Sequence, residues 1–86
     1  MASYNLKWTS SAKRDIGKLP QPVIARLTTL IDGLKENPYP PGVRKMAAMQ
    51  DAWRIRAGDY RIIYRILGNI LTIEVIRIGH RGDVYQ

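Results

Sequence analysis

The sequence predicts an α+β fold: an N-terminal strand, a helical hairpin, and then three or four antiparallel strands, all in one twisted sheet with the helices on one face. Three patterns predict it. Tyr4-Asn5-Leu6-Lys7-Trp8-Thr9 alternates apolar and polar side chains, the period of a half-buried strand. Val23, Leu27, Leu30 and Leu34, with Ile24 and Ile31 beside them, recur at the helical period and make a broad apolar stripe. From Trp53 onward, β-branched and aromatic runs alternate around Gly58-Asp59 and Gly68-Asn69, both Gly-first turn dipeptides. Helices followed by consecutive hairpin strands pack as a helical layer on one face of an antiparallel sheet.

Each element has its local reason. Ser10 or Ser11 can accept a hydrogen bond from a free N–H of the first turn, so either can cap a helix running to about Leu19. Pro20 and Pro22 end that helix and start the next, since proline is tolerated in a first turn and not in a helix interior. The second helix carries Gly33 at a cost of about 1 kcal/mol relative to alanine and stops at Asn37-Pro38. Tyr39-Pro40-Pro41-Gly42 is a stiff connector. Val43 to Met49 reads either as a short extra strand or as an irregular edge.

If both hairpin loops have two residues, the register follows. Ala57 then faces Tyr60, Ile55 faces Ile62 and Trp53 faces Tyr64; across the second hairpin Ile66 faces Leu71, Tyr64 faces Ile73 and Ile62 faces Val75. This is the core face, and it must meet Val23, Leu27, Leu30 and Leu34. The other face receives Arg54, Arg56, Arg61 and Arg65, interrupted by Ile63, Thr72, Glu74 and Ile76, and stays open to solvent. Arg56 and Arg61 stand opposite one another, which costs roughly 0.2–1 kcal/mol unless something neutralises it. A polyanion is the simplest such ligand. Trp8, Trp53, Tyr60 and Tyr64 read as packing residues.

Composition agrees. The 86 residues, read as a single domain over 1–86, carry 14 Lys and Arg against seven Asp and Glu, a net charge of +7 that favours nucleic acid, ribosome or an acidic protein as partner. There is no cysteine, and no apolar run approaches the ~18 residues of a membrane span. With no charged start followed by an apolar stretch, a cytoplasmic location without membrane association is expected. One histidine and scattered carboxylates disfavour a metal centre, and no cofactor is expected. Arginine, tyrosine and His80 remain as chemical groups. They suffice for RNA cleavage, because the 2′-hydroxyl is a nucleophile the substrate brings itself.

Trp53-Arg54-Ile55-Arg56-Ala57-Gly58-Asp59-Tyr60-Arg61-Ile62-Ile63-Tyr64, followed by Ile76-Arg77-Ile78-Gly79-His80-Arg81-Gly82-Asp83-Val84-Tyr85, resembles the RelE branch of the RelE/ParE toxin superfamily, the toxic halves of type II toxin–antitoxin pairs. The resemblance spans essentially the whole chain. It implies a metal-independent endoribonuclease, a ribosome-dependent mRNA interferase that cuts mRNA in the ribosomal A site and leaves a 2′,3′-cyclic phosphate. By position it implies that Arg61 stabilises the transition state, that Arg81 protonates the leaving oxygen and that Tyr85 acts on the 2′-hydroxyl. Arg54 stands where family members have a lysine, and Ala52 where some have another. Arg54, Arg56, Arg65 and His80 are the candidate substrate contacts; His80 is ranked below Arg81 as an acid because a neighbouring positive charge lowers an imidazole's pKa. The implied partners are the ribosome with its mRNA and a RelB-like antitoxin encoded nearby, with larger toxin–antitoxin assemblies possible. Two other readings stay open: a ParE-like toxin that inhibits gyrase by binding, and a catalytically decayed homologue that only binds nucleic acid.

Overall fold

The computed structural model describes residues 3–80. The elements follow the order β1 (Asn5–Trp8), α1 (Ser10–Gly17), α2 (Gln21–Gly33), β2 (Arg44–Lys45), β3 (Ala52–Ala57), β4 (Tyr60–Leu67) and β5 (Thr72–His80). The strands form one five-stranded sheet in the order β1-β5-β4-β3-β2, with β1 parallel to β5 and the other pairs antiparallel. The sheet and helical pair match the expected α+β class. The undecided stretch after Gly42 supplies the two-residue edge strand β2 and then turns away.

One core joins the layers. Ala12 from α1 and Leu27 and Ile31 from α2, with Leu34 just past that helix, cluster with Ile55, Ile62, Tyr64, Ile66, Ile73, Val75 and Ile78 of the sheet. The Tyr64 side chain is fully enclosed, and its hydroxyl donates to the Pro38 carbonyl at 2.8 Å. That bond gives a buried phenol its partner and ties the connector after α2 to the central strand. Burial pushes the Tyr64 phenol well above its ordinary pKa, with Tyr39 adding to the shift.

Three local expectations are corrected. The cap of α1 is Thr9, whose Oγ1 accepts from the Ala12 N–H at 3.0 Å, and the helix ends at Gly17, with Lys18 and Leu19 continuing as a turn. The second helix ends at Gly33, and a turn through Asn37 follows, with Glu36 and Asn37 N–H both reaching the Gly33 carbonyl. The third correction concerns the second hairpin. The first has the expected register, with Gly58 at φ +62 and no positive φ at Asp59, the Gly-first pattern of a type II′ turn. At Gly68, however, a single 3-10 turn runs to Ile70, and Leu71 adopts a left-handed φ of 48. The loop therefore has four residues, and Ile66 pairs with Ile73, not Leu71.

The shift is by two residues, so Ile73 and Val75 keep their place on the core face. Leu71 becomes exposed loop. Further along, Ile63 pairs with Arg77 but Tyr64 pairs with Val75, which leaves Ile76 as a bulge. A bulge reverses side-chain parity. It carries Ile78 inward to 3% exposure and Arg77 outward.

Candidate nucleic-acid interface

The helix-free side of the sheet is built by parity. Because Ile55 and Ile62 point to the core, Arg54, Arg56 and Arg61 between and beside them must point away. Arg56 and Arg61 are direct cross-strand partners, as are Arg44 and Arg54. Ile63 lies between Arg54 and Arg77 in the register and is only 4% exposed. Long arginine stems can cover an apolar neighbour of this kind while keeping their charged ends in water.

Arg44, Arg54, Arg56 and Arg61, with Gly42, line a cleft of about 390 Å³. Its wall comes from the proline connector. Pro40 accepts a hydrogen bond from the Val43 N–H at 3.2 Å, and Gly42 sits at φ +89, so Pro40-Pro41-Gly42-Val43 is a turn with proline second and a left-handed glycine third. This turn brings β2 alongside β3 and sets Arg44 opposite Arg54. Arg44 was missed as a site residue. Its signal was the Pro-Pro-Gly turn directly before a basic pair, legible only once Val43 to Met49 is known to return to the sheet edge.

Not every candidate joins the cleft. Arg65 stands on the same face but at its other end, opposite Glu74 on β5, with its Nη1 4.0 Å from a Glu74 carboxylate oxygen. Glu74 thus draws Arg65 out of the cationic group. His80 pairs with Tyr60, and the two rings meet edge to face at 5.5 Å on the side of the sheet that carries the core. It does not line the cleft; Gly79 is the β5 residue opposite Arg61. The bulge at Ile76, which the sequence does not announce, makes this exchange. Arg81 and Tyr85 lie outside the described residues.

Asp15 on α1 accepts hydrogen bonds from Arg77 Nε and from the Ile78 N–H, both at 2.9 Å. Burial raises its pKa, but the hydrogen bonds from Arg77 and Ile78 and the charges of Arg77 and Lys18 outweigh that and hold it below the ordinary aspartate value.

A family model described as "ParE toxin of type II toxin-antitoxin system, parDE" matches residues 6–85. The chain belongs to the RelE/ParE superfamily of type II toxins. Within it the relatives are RelE-like. The chain is 31% identical to Toxin RelG of Mycobacterium tuberculosis over 84 residues, covering 96% of this chain and 97% of the relative. It is 30% identical to Toxin RelE of the same organism, again over 84 residues, covering 96% of this chain and 87% of that one. Among solved structures, the toxin–antitoxin complex RelBE2 of M. tuberculosis superposes with a TM-score of 0.81 at 28% identity, covering 93% of this toxin and all of that chain, 100%. The archaeal RelE–RelB complex of Pyrococcus horikoshii gives 0.82 at 27% identity, covering 94% and 98%.

Proposed function

We propose that this toxin is an endoribonuclease that cleaves mRNA in the ribosomal A site. The observation that carries the reading is the cleft of four arginines on the face of the sheet that no helix among the described residues covers. Such a cleft can hold a phosphodiester backbone and supply charge where charge develops. In the reaction the 2′-oxygen attacks the adjacent phosphorus and the bond to the 5′-oxygen breaks, giving a 2′,3′-cyclic phosphate and a 5′-hydroxyl. The 2′ proton leaves to a base and the 5′-oxygen receives a proton. Arg61 is assigned to the phosphorane charge, Arg81 to the leaving oxygen and Tyr85 to the 2′ proton, with Arg54 and Arg56, joined by Arg44, on the phosphates. A phenol has a pKa of about 10, so Tyr85 serves as a base only beside cations that stabilise the phenolate.

The RelBE complexes to which this fold is similar contain an antitoxin. By that likeness, a RelB-like antitoxin is the cognate partner, and acidic residues on it would silence the basic face.

The test is single-turnover cleavage on programmed ribosomes. Arg61→Ala and Arg81→Ala should slow cleavage by about 10²-fold or more while weakening ribosome binding far less. Tyr85→Phe, which loses only the hydroxyl, should behave likewise. Wild-type cleavage by Tyr85→Phe together with its loss in His80→Ala would transfer the proton to His80. Absence of mRNA cleavage by the wild type, with inhibition of gyrase, would replace the nuclease reading by the ParE-like one.

A further inference from the structure

Tyr39 is the one tryptophan or tyrosine among the described residues that stands exposed, at 52%. Its ring meets Trp53 edge to face, with centroids 5.1 Å apart and planes at 84°. Trp53 is itself half-buried against the core, so the tyrosine rests on a fixed floor. The backbone is held on both sides as well. Asn37 Oδ1 accepts from the Tyr39 N–H at 3.1 Å, and the carbonyl of the preceding Pro38 accepts from the Tyr64 hydroxyl at 2.8 Å. Pro40 follows and opens the turn to Val43. Leaving an aromatic ring in water forgoes the free energy of burying it, yet here a rigid frame keeps it there. Covering Trp53 explains the buried part of the ring and leaves the exposed part without a role.

This ring stands round the sheet edge from the arginine cleft. β2 is the last strand of the sheet, and its two residues point to opposite faces. Arg44, opposite Arg54, lines the cleft. Lys45, opposite Trp53, lies on the other face with its Nζ 6.0 Å from the centre of the Trp53 ring. Gly42 of the cleft and Tyr39 belong to one proline connector. A polyanion crossing β2 therefore meets a cation on each face and then an exposed ring. That arrangement suits single-stranded nucleic acid, whose phosphates take cations and whose bases stack on aromatic faces. An acidic peptide would use the two cations and leave the ring unexplained.

We propose that Tyr39 is a stacking platform for an unpaired RNA base, with Lys45 as the phosphate contact beside it, so that RNA held in the arginine cleft continues over β2 onto the other face of the sheet. The inference deepens the nuclease reading above and rests on it. It assigns to the connector and the short edge strand a binding role separate from the chemistry at Arg61. The rigid backbone on either side of Tyr39 has a purpose in this reading: a ring already fixed in place loses little further freedom when a base stacks on it.

The experiment uses full-length protein and an oligouridylate long enough to cross the β2 edge. With 5-iodouridine in that strand, irradiation joins a base to the aromatic ring it stacks on, and mass spectrometry of the wild-type adduct should find it at Tyr39. Fluorescence anisotropy then compares the wild type with Tyr39→Leu, Tyr39→Phe and Lys45→Ala. Tyr39→Leu keeps an apolar cover on Trp53 and loses the π face; it should bind about tenfold or more weakly. Its slope of log affinity against log salt should match the wild type, because no phosphate contact is lost. Tyr39→Phe should bind as the wild type does. Lys45→Ala should flatten the slope by about 0.7. Adducts confined to residues other than Tyr39, wild-type affinity in Tyr39→Leu, or a loss of affinity in Tyr39→Phe equal to that in Tyr39→Leu would each overturn the proposal. The wild-type adduct decides even if Tyr39→Leu does not fold. Absence of mRNA cleavage by the wild type would sink the nuclease reading alone, and the adduct and affinities would still decide the role of Tyr39.

Discussion

Arg56→Ala should improve the fold and impair RNA binding at once. Arg56 is exposed and stands directly opposite Arg61 on adjacent strands. Two like charges in that relation cost roughly 0.2–1 kcal/mol, and truncating the exposed one sacrifices little packing. All other charges around Arg61 are common to both proteins, so the difference isolates Arg56. For a domain of this size each kcal/mol shifts the midpoint by about 4–8 °C, giving an expected rise of about 1–8 °C in thermal unfolding at low salt. In 1 M salt, where the screening length is about 3 Å, the gain should shrink toward zero. Binding goes the other way. If each of the four cleft arginines holds one phosphate of a single strand, log affinity falls with log salt at a slope of about −2.8, and at about −2.1 without Arg56. Between 50 and 200 mM salt the wild type should lose about 50-fold in affinity and the variant about 20-fold. Fluorescence anisotropy with a short labelled oligoribonucleotide measures this directly. A lower unfolding midpoint in Arg56→Ala would refute the repulsion, and a salt slope equal to that of the wild type would refute the cleft as the phosphate site.

Three further outcomes follow from single contacts. Tyr64→Phe removes the donor to the buried Pro38 carbonyl and should cost about 1–3 kcal/mol in urea unfolding, with cleavage rate retained at temperatures where the variant is folded. Gly58→Ala places a Cβ at φ +62 and 3.3 Å from the Arg26 guanidinium; the left-handed backbone alone should cost about 1–2 kcal/mol by the same measurement. Because the folded Asp15 carboxyl sits below its unfolded value, its contribution to stability is complete above about pH 4 and is lost as pH falls through the folded value; Asp15→Asn should flatten that acid limb in a pH series of urea midpoints.

Most of the fold was legible because periodicity and turn chemistry point the same way. The Leu27, Ile31 and Leu34 stripe could face only a sheet, and Gly58-Asp59 fixed the Arg56 to Arg61 pairing to the residue. The second hairpin was less legible since Gly68-Asn69 suits a 3-10 turn as well as a two-residue one, and the decision lay in whether Ile73 or Leu71 filled the core beside Ile66. The site was legible where it follows from strand parity alone, as at Arg54, Arg56 and Arg61. Arg44 escaped because its place depends on how the connector after α2 folds back to the sheet edge, and β2 is too short to show a period. His80, expected as a substrate contact, lies instead against Tyr60 on the core side, a placement set by a bulge that is invisible to an alternation argument. One uncounted residue at Ile76 moves everything after it to the other face.

That bulge also shows how this sheet separates stability from function. In β4 the two demands alternate cleanly: Ile62, Tyr64 and Ile66 are buried in the core, while Arg61 and Arg65 look outward. Substitution on one set leaves the other nearly untouched, and the same alternation in β3 is why Arg56→Ala can stabilise. β5 has no such freedom at its end. Its core residues Ile73 and Val75 share one parity and Ile78 the opposite one, so without the extra residue Ile78 would face outward and Arg77 would be driven into the core. Burying that charge would cost far more than a bulge. Ile78 therefore requires the bulge, the bulge requires partners for its free groups, and α1 provides them through Thr9 and Asp15. A helix that belongs to the core layer is in this way coupled to the end of the strand that borders Arg61.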